Sequence, residues 1–336
     1  MGALIVPGDD APADDAAPEP VRPRLGAVLD VRSGRLGEDL ELAAELGLQM
    51  VRIDVPWALA QPREHGYDGD VFESLVVAAQ AARAAGVDPW FRLLQPAVPL
   101  WFDDEGGFTD DRTAATFWPR WVELVADRLG HVAAGWVPLE APYGIANRLM
   151  PDDARRHGEV FHSLVVAWRD AWRILRGGQP VATSLDVAIE RPQDDTPPER
   201  EEARRREQLR WGVWFQGFAD GIVRIPGRAD RELADLQGAV DVIGLALRAD
   251  VETCVYRTAE QGLDRPLALT YKPTGDTDGE RATRMTAMWR EVDRATDQIP
   301  MAYVAATPFA DAPGAPGIVT LDREVKDSGE AFLRRE

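Results

Sequence analysis

Four carboxylates, Asp30, Asp54, Glu140 and Asp186, stand at the ends of short apolar runs, and a fifth, Asp311, lies farther along. Paired carboxylates do acid and base work: one protonates a leaving oxygen while the other attacks or activates water. A separation of about 5–5.5 Å suits retention, and about 6.5–9.5 Å suits inversion. Glu140, in the stretch GWVPLEAP, is the leading catalytic candidate, with Asp54 or Asp186 as its second acid. Four cations, Arg52, Arg92, Arg248 and Lys272, share these run ends. They either gather an anion or pair with the carboxylates beside them, because buried charges rarely stand alone. Trp57 and Trp101, also near run ends, are the aromatics best placed to stack on a sugar or planar group.

Other chemistries have little support. The four histidines, 65, 131, 157 and 162, form no metal-ligand spacing. The single cysteine, Cys254, permits neither an internal disulfide nor a thiolate cluster and reads as a small apolar residue. No metal and no cofactor is expected.

These residues need elements to position them, and apolar runs alternate regularly with helix-compatible segments. LGAVLD (25–30), MVRIDV (50–55), PWFRLL (89–94), AGWVPLE (134–140), PVATSL (180–185), VDVIGLAL (240–247), RPLALTY (265–271) and MAYVAA (301–306) read as strands. Each is trailed by helical apolar spacing, as in EDLELAAELG, which closes on Gly47. Eight β-then-α units imply parallel strands covered on both faces, hence an α/β single (β/α)8 TIM barrel over residues 23–336. A doubly wound open sheet is the alternative, but no G-x-G-x-x-G follows the first strand. A long polar insertion, DVAIERPQDDTPPEREEA, follows the fifth strand on the face where barrel sites form.

A net charge of -19 argues against nucleic acid, whose phosphates call for clustered Lys and Arg. Residues 1–22 are rich in Asp, Ala and Pro and read as a disordered acidic tail. The apolar run within them, ALIV (3–6), is too short for a signal peptide. No stretch approaches 18 apolar residues, so no membrane span and a cytoplasmic location are expected.

The run GGFTDDRTAATFWPRWVELVADRLGHVAAGWVPLEAP resembles a segment of glycoside hydrolase family 1, the β-glucosidase family. There a G-G-W segment leads through a helix to W-x-T-x-N-E-P. MVRIDVPWALAQP is similar to the family's second-strand Y-R-F-S-I-S-W-S-R-I-x-P, VDVIGLALRA to D-F-I-G-V-N-Y-Y, and GIVTLDREVKDSGEAF to its closing F-G-L-V-x-V-D segment. The likeness runs in order over residues 24–334 and implies the same barrel.

For the chemistry it implies loss. Family members are retaining enzymes with two catalytic glutamates. With Trp136 and Pro142 as anchors, Glu140 falls on the Asn of N-E-P and Ala141 on the catalytic Glu. Tyr271 falls on the nucleophile of T-E-N-G; tyrosine is the nucleophile of sialidases, but nothing else here supports that chemistry. The sugar-holding His-Trp becomes Gln95-Pro96, the Asn-Tyr becomes Ala246-Leu247, and Arg52 persists without its usual partner. Gln95, Arg52, Trp57, Trp101, Arg248 and Lys272 would line what pocket remains. The expected function is therefore that of a non-hydrolytic, pseudo-enzyme relative holding a sugar, glycoside or other small molecule, or a protein partner. The alternative is an active O-glycosyl hydrolase rebuilt on Glu140 with Asp54 or Asp186. A third reading takes the charged insertion as a docking surface, against the simpler view that it is a solvated helix start.

Overall fold

The computed structural model describes residues 22–335 apart from 95–96, 152 and 297–298. The expected tail lies outside the described residues except for Arg22, and so does Gln95. The strands are β1 (Arg24–Leu29), β2 (Met50–Asp54), β3 (Asp88–Arg92), β4 (Gly135–Val137), β5 (Ile222–Val223), β6 (Arg231–Glu232), β7 (Ile243–Leu247), β8 (Leu267–Tyr271) and β9 (Met301–Ala306). Seven of them form one sheet in the order β4-β3-β2-β1-β9-β8-β7. Its pairings are parallel. A small antiparallel hairpin, β5 with β6, stands apart and has no counterpart in the sequence reading.

Helices follow the strands as the periodicity requires: Leu36–Glu45, Gly69–Ala84, Asp111–Leu129, His157–Leu175, Val213–Asp220, Val251–Ala259, Asp278–Thr296 and Asp327–Arg334. Their starts are chemical. Asp68 accepts from the Asp70 N–H at 3.0 Å and Asp110 from the Thr113 N–H at 2.7 Å, each satisfying a free donor of the first turn. Gly47 and Gly86 end the first two with φ of 75° and 80°, a left-handed conformation that side chains disfavour.

The sheet curls until β4 and β7 face each other across residues 180–185. That segment is joined to both by single parallel bridges, Trp136 with Val181 on one side, and Ala182 with Val242 and Leu185 with Leu245 on the other. It is less regular than the strand expected there, for two reasons. Pro180 has no N–H to give. The Thr183 hydroxyl takes over part of the ladder, donating to the Gly244 carbonyl at 3.0 Å and accepting from the Gly244 N–H at 2.9 Å. Only a glycine fits opposite, since a Cβ on residue 244 would lie 1.9 Å from the Thr183 carbonyl oxygen.

Alternation sorts the side chains into two layers. Met50, Trp90, Val137, Ala182, Val242, Ala268, Tyr303 and Ala305 fill the barrel interior. Their neighbours on each strand join a larger core between sheet and helices. On β2 and β8 this parity carries Arg52, Asp54, Thr270 and Lys272 inward.

The seam gives a stability prediction. Gly244→Ala should destabilise the fold by about 3 kcal/mol or more through backbone overlap. Thr183→Val keeps the shape but strands the buried Gly244 N–H, the Gly244 carbonyl keeping the Leu185 N–H, and should cost about 1–2 kcal/mol. Urea denaturation of both variants, compared with the parent, checks the values and their order.

Candidate functional site

The carboxyl ends of the strands meet around a buried guanidinium. Arg52, on β2, is 1% exposed. One of its amino groups reaches the Ser184 hydroxyl at 3.3 Å and the Thr270 hydroxyl at 3.2 Å, and the other donates to Glu140 Oε1 at 2.5 Å. Burial pushes Arg52 below its ordinary range, with Tyr303 and Asp54 nearby acting in the opposite sense. The second oxygen of Glu140 is taken by Arg92 Nη1. Arg92 then turns its other edge to Asp54, donating from Nε and Nη2 at 2.6 Å each. The chain Thr270/Ser184–Arg52–Glu140–Arg92–Asp54 spans the mouth as one charge-assisted network.

How Glu140 comes to face this mouth is decided by the backbone after β4. Val137 lies in the barrel interior, whereas Leu139 is packed in the outer core. The pleat therefore slips by one residue across Pro138, which has no N–H with which to continue the ladder. For the same reason the strand stops at Val137, short of the expected 134–140. The slip turns Glu140 inward and leaves Ala141 with φ 51° and ψ 60°, its N–H bonded to the Ser184 carbonyl at 2.8 Å. The left-handed geometry costs a non-glycine residue roughly 1–2 kcal/mol. Ala141 caps the helix Pro142–Leu149 and brings no group to the mouth. The carboxylate on the barrel side is thus the one from position 140.

On β8 the parity is the reverse of what matching Tyr271 to a nucleophile requires. Tyr271 is 4% exposed and sits in the sheet–helix core. Burial and Glu291 of the covering helix push its phenol up. The inward residues of that strand end are Thr270, which holds Arg52, and Lys272.

Asp186 has a structural job. Its oxygens accept from the Tyr143 and Gly144 N–H groups at 3.0 and 2.8 Å, capping the helix after Glu140. Burial pushes its carboxyl up, offset in part by Arg210 and those two donors. Arg210 lies over the Tyr143 ring at 3.8 Å and pairs with Glu190 at 2.7 Å, where Arg206 also arrives at 2.7 Å. Much of the insertion's charge is thereby consumed within itself, by these pairs and by Arg200–Asp195 and Arg205–Glu202. Asp30 is occupied by Arg32, and Asp311 by Lys326.

The two tryptophans are a correction. Trp57 is 0% exposed and stacks on Trp121 at 5.3 Å, inside a cluster with Phe102 and Trp118. Trp101 packs on the same cluster, with its Nε1 bonded to the Gln61 carbonyl at 3.0 Å. The Trp57 ring is not free to stack on a ligand, because the element after β2 folds back under its own helices, whereas Trp101 is half-buried against the cluster. Cys254 is buried, and its thiol is pushed up to about 12 by burial, so it is inert. Among the described residues no His, Cys, Asp and Glu group has the makings of a metal site. No helix there is long and apolar enough to cross a membrane.

What remains open is a cleft of about 700 Å³ beside the network, whose lining includes Asp30, Asp54, Arg92, Lys272 and Thr307. The residues that hold Arg52, Ser184 and Thr270, were missed in the sequence. Their signal was the alternation of polar with apolar residues in ATSLD and LTYK.

A family model, "Glycosyl hydrolase family 1", matches residues 32–245. Among curated relatives, Beta-glucosidase 34 of Oryza sativa subsp. japonica is 20% identical over 252 residues, 63% of this chain and 49% of that protein. Beta-glucosidase 6 of the same plant is 21% identical over 252 residues, covering 63% and 48%. The chain spans about half the length of these relatives. Among solved structures, a family 1 β-glucosidase from Thermotoga maritima superposes with a TM-score of 0.79 at 14% identity, over 90% of this chain and 85% of that one. The same organism's β-glucosidase in complex with glucoimidazole superposes with a TM-score of 0.80 at 14% identity, over 90% and 86%.

The central ion pair should behave as a unit. Glu140→Leu leaves Arg52 without its carboxylate, and should cost about 3–5 kcal/mol. Arg52→Met also breaks the pair but leaves Glu140 on Arg92, and should cost somewhat less. The double variant Arg52→Met/Glu140→Leu removes both charges, and should be more stable than Glu140→Leu alone. Guanidinium denaturation of the four proteins gives the coupling directly.

Proposed function

This chain belongs to glycosyl hydrolase family 1, and from that premise we propose that it has given up two-glutamate retaining hydrolysis and holds a small molecule, a sugar or glycoside by kinship, in the barrel mouth. One observation carries the reading: among the described residues Glu140 is the one glutamate brought to the Arg52 network, and its two oxygens face Arg52 and Arg92. Retaining hydrolysis needs a second carboxylate about 5–5.5 Å from the first. Opposite it, β8 offers a hydroxyl and an ammonium, Thr270 and Lys272, in place of a second carboxylate. Asp54 is held edge-on by Arg92, which removes the nearest substitute.

The rival reading is an O-glycosyl hydrolase built on Glu140 with Asp54 or Asp186. In its favour, burial raises the Asp186 carboxyl, as a general acid requires. Against it, that carboxylate is committed to two backbone N–H groups. Purified protein incubated with aryl β-D-glycosides should give no release above that of Glu140→Gln, measured below the unfolding temperature of both. A panel of free sugars and alkyl glycosides should raise the melting temperature for at least one ligand. Turnover that disappears in Glu140→Gln would establish the rival and end the proposal.

A further inference from the structure

Around the mouth, opposite charges cancel locally. Arg52 and Arg92 share Glu140, Arg92 takes Asp54, Arg32 takes Asp30, and Lys326 takes Asp311. Two cations stand outside this arrangement. Among the described residues, neither Lys272 nor Arg248 has a carboxylate within ion-pair distance, and neither side chain donates a hydrogen bond. They sit side by side on adjacent strand ends. The Lys272 N–H donates to the Leu247 carbonyl at 3.0 Å, and Arg248 is the next residue. Inward parity and a half-buried position bring Lys272 to the wall of the cleft, while Arg248, on the adjoining strand end, is exposed.

A half-buried ammonium without a counter-ion, next to a guanidinium, is costly to maintain. Burial together with Arg248 lowers the Lys272 pKa, as expected for a charge lacking compensation. A chain carrying a net charge of -19 has carboxylates to spare, and Asp30, Asp39, Asp54, Asp311 and Asp322 line the same cleft, yet among the described residues none is within ion-pair distance of Lys272 or Arg248. The missing partner is then supplied from outside. We propose that the small molecule held in this mouth carries an oxyanion, a carboxylate or a phosphate, and that Lys272 receives it with Arg248 beside it. The inference rests on the reading of the mouth as a small-molecule site and adds the charge class of the occupant. Since the net charge repels anions at long range, recognition is short-ranged and falls to these two side chains.

Isothermal titration of the full chain with inorganic phosphate, glucose 6-phosphate, D-glucuronate and glucose tests this. At least one anion should bind, with glucose at least tenfold weaker. Lys272→Met should weaken the anion about tenfold or more, the worth of one charge-assisted hydrogen bond. Arg248→Met should weaken it less, because its head is in water. Both variants should keep or exceed the parent's unfolding midpoint without ligand, which separates lost binding from lost folding. A preference for glucuronate identifies the carboxylate source, and a preference for the phosphates the other. Equal binding of glucose and its anions, anion binding unchanged in Lys272→Met, or no binding of any anion would overturn the proposal. Hydrolysis of aryl glycosides would instead end the non-catalytic reading and leave the Lys272 comparison standing.

Discussion

A guanidinium that is 1% exposed dictates much of what surrounds it. Arg52 cannot shed its charge, so the barrel must supply acceptors in the depth of its mouth. It does so from three directions: Ser184 from the irregular 180–185 segment, Thr270 from β8 and Glu140 from the turn after β4. These come from sequence positions far apart, so the interaction also ties β2 to β8, to the 180–185 segment and to the turn after β4. The slip at Pro138, the left-handed Ala141 and the cap that Asp186 gives the following helix all serve to deliver Glu140 to that spot.

The same constraint explains why the mouth is poor in free chemistry. A catalytic carboxylate pair must turn toward the scissile bond from both sides. Here Glu140 meets Arg52 and Arg92, Asp54 meets Arg92, Asp30 meets Arg32, Asp311 meets Lys326, and Asp186 holds two backbone N–H groups. The exceptions are Lys272 and Arg248, which among the described residues have no carboxylate within ion-pair distance.

The fold was largely legible. Eight apolar runs separated by segments closing on Gly47, Gly86 and their kind leave few alternatives to a parallel barrel, and the sheet order follows chain order. Where the expectation erred, the cause was local geometry that periodicity does not encode. The 180–185 segment lost regularity because a threonine hydroxyl replaced ladder bonds. Trp57 was misplaced because nearness to a strand end in sequence says nothing about which way the next turn folds. Parity could have warned against Tyr271: in LALTYK the polar residues Thr270 and Lys272 alternate with apolar ones, which marks them as the inward pair. The shift at Glu140 was visible as a misfit of one residue, but only the backbone at Pro138 resolves its sense.

The left-handed alanine also sets what the turn after β4 will accept. A side chain at φ 51° is held against its own backbone preference, so glycine is the replacement this position tolerates best. What holds the turn there is the Ser184 carbonyl on the Ala141 N–H and, one step on, the Asp186 carboxylate on the Tyr143 and Gly144 N–H groups. The aim of Glu140 is thus fixed by backbone donors that its own side chain never touches.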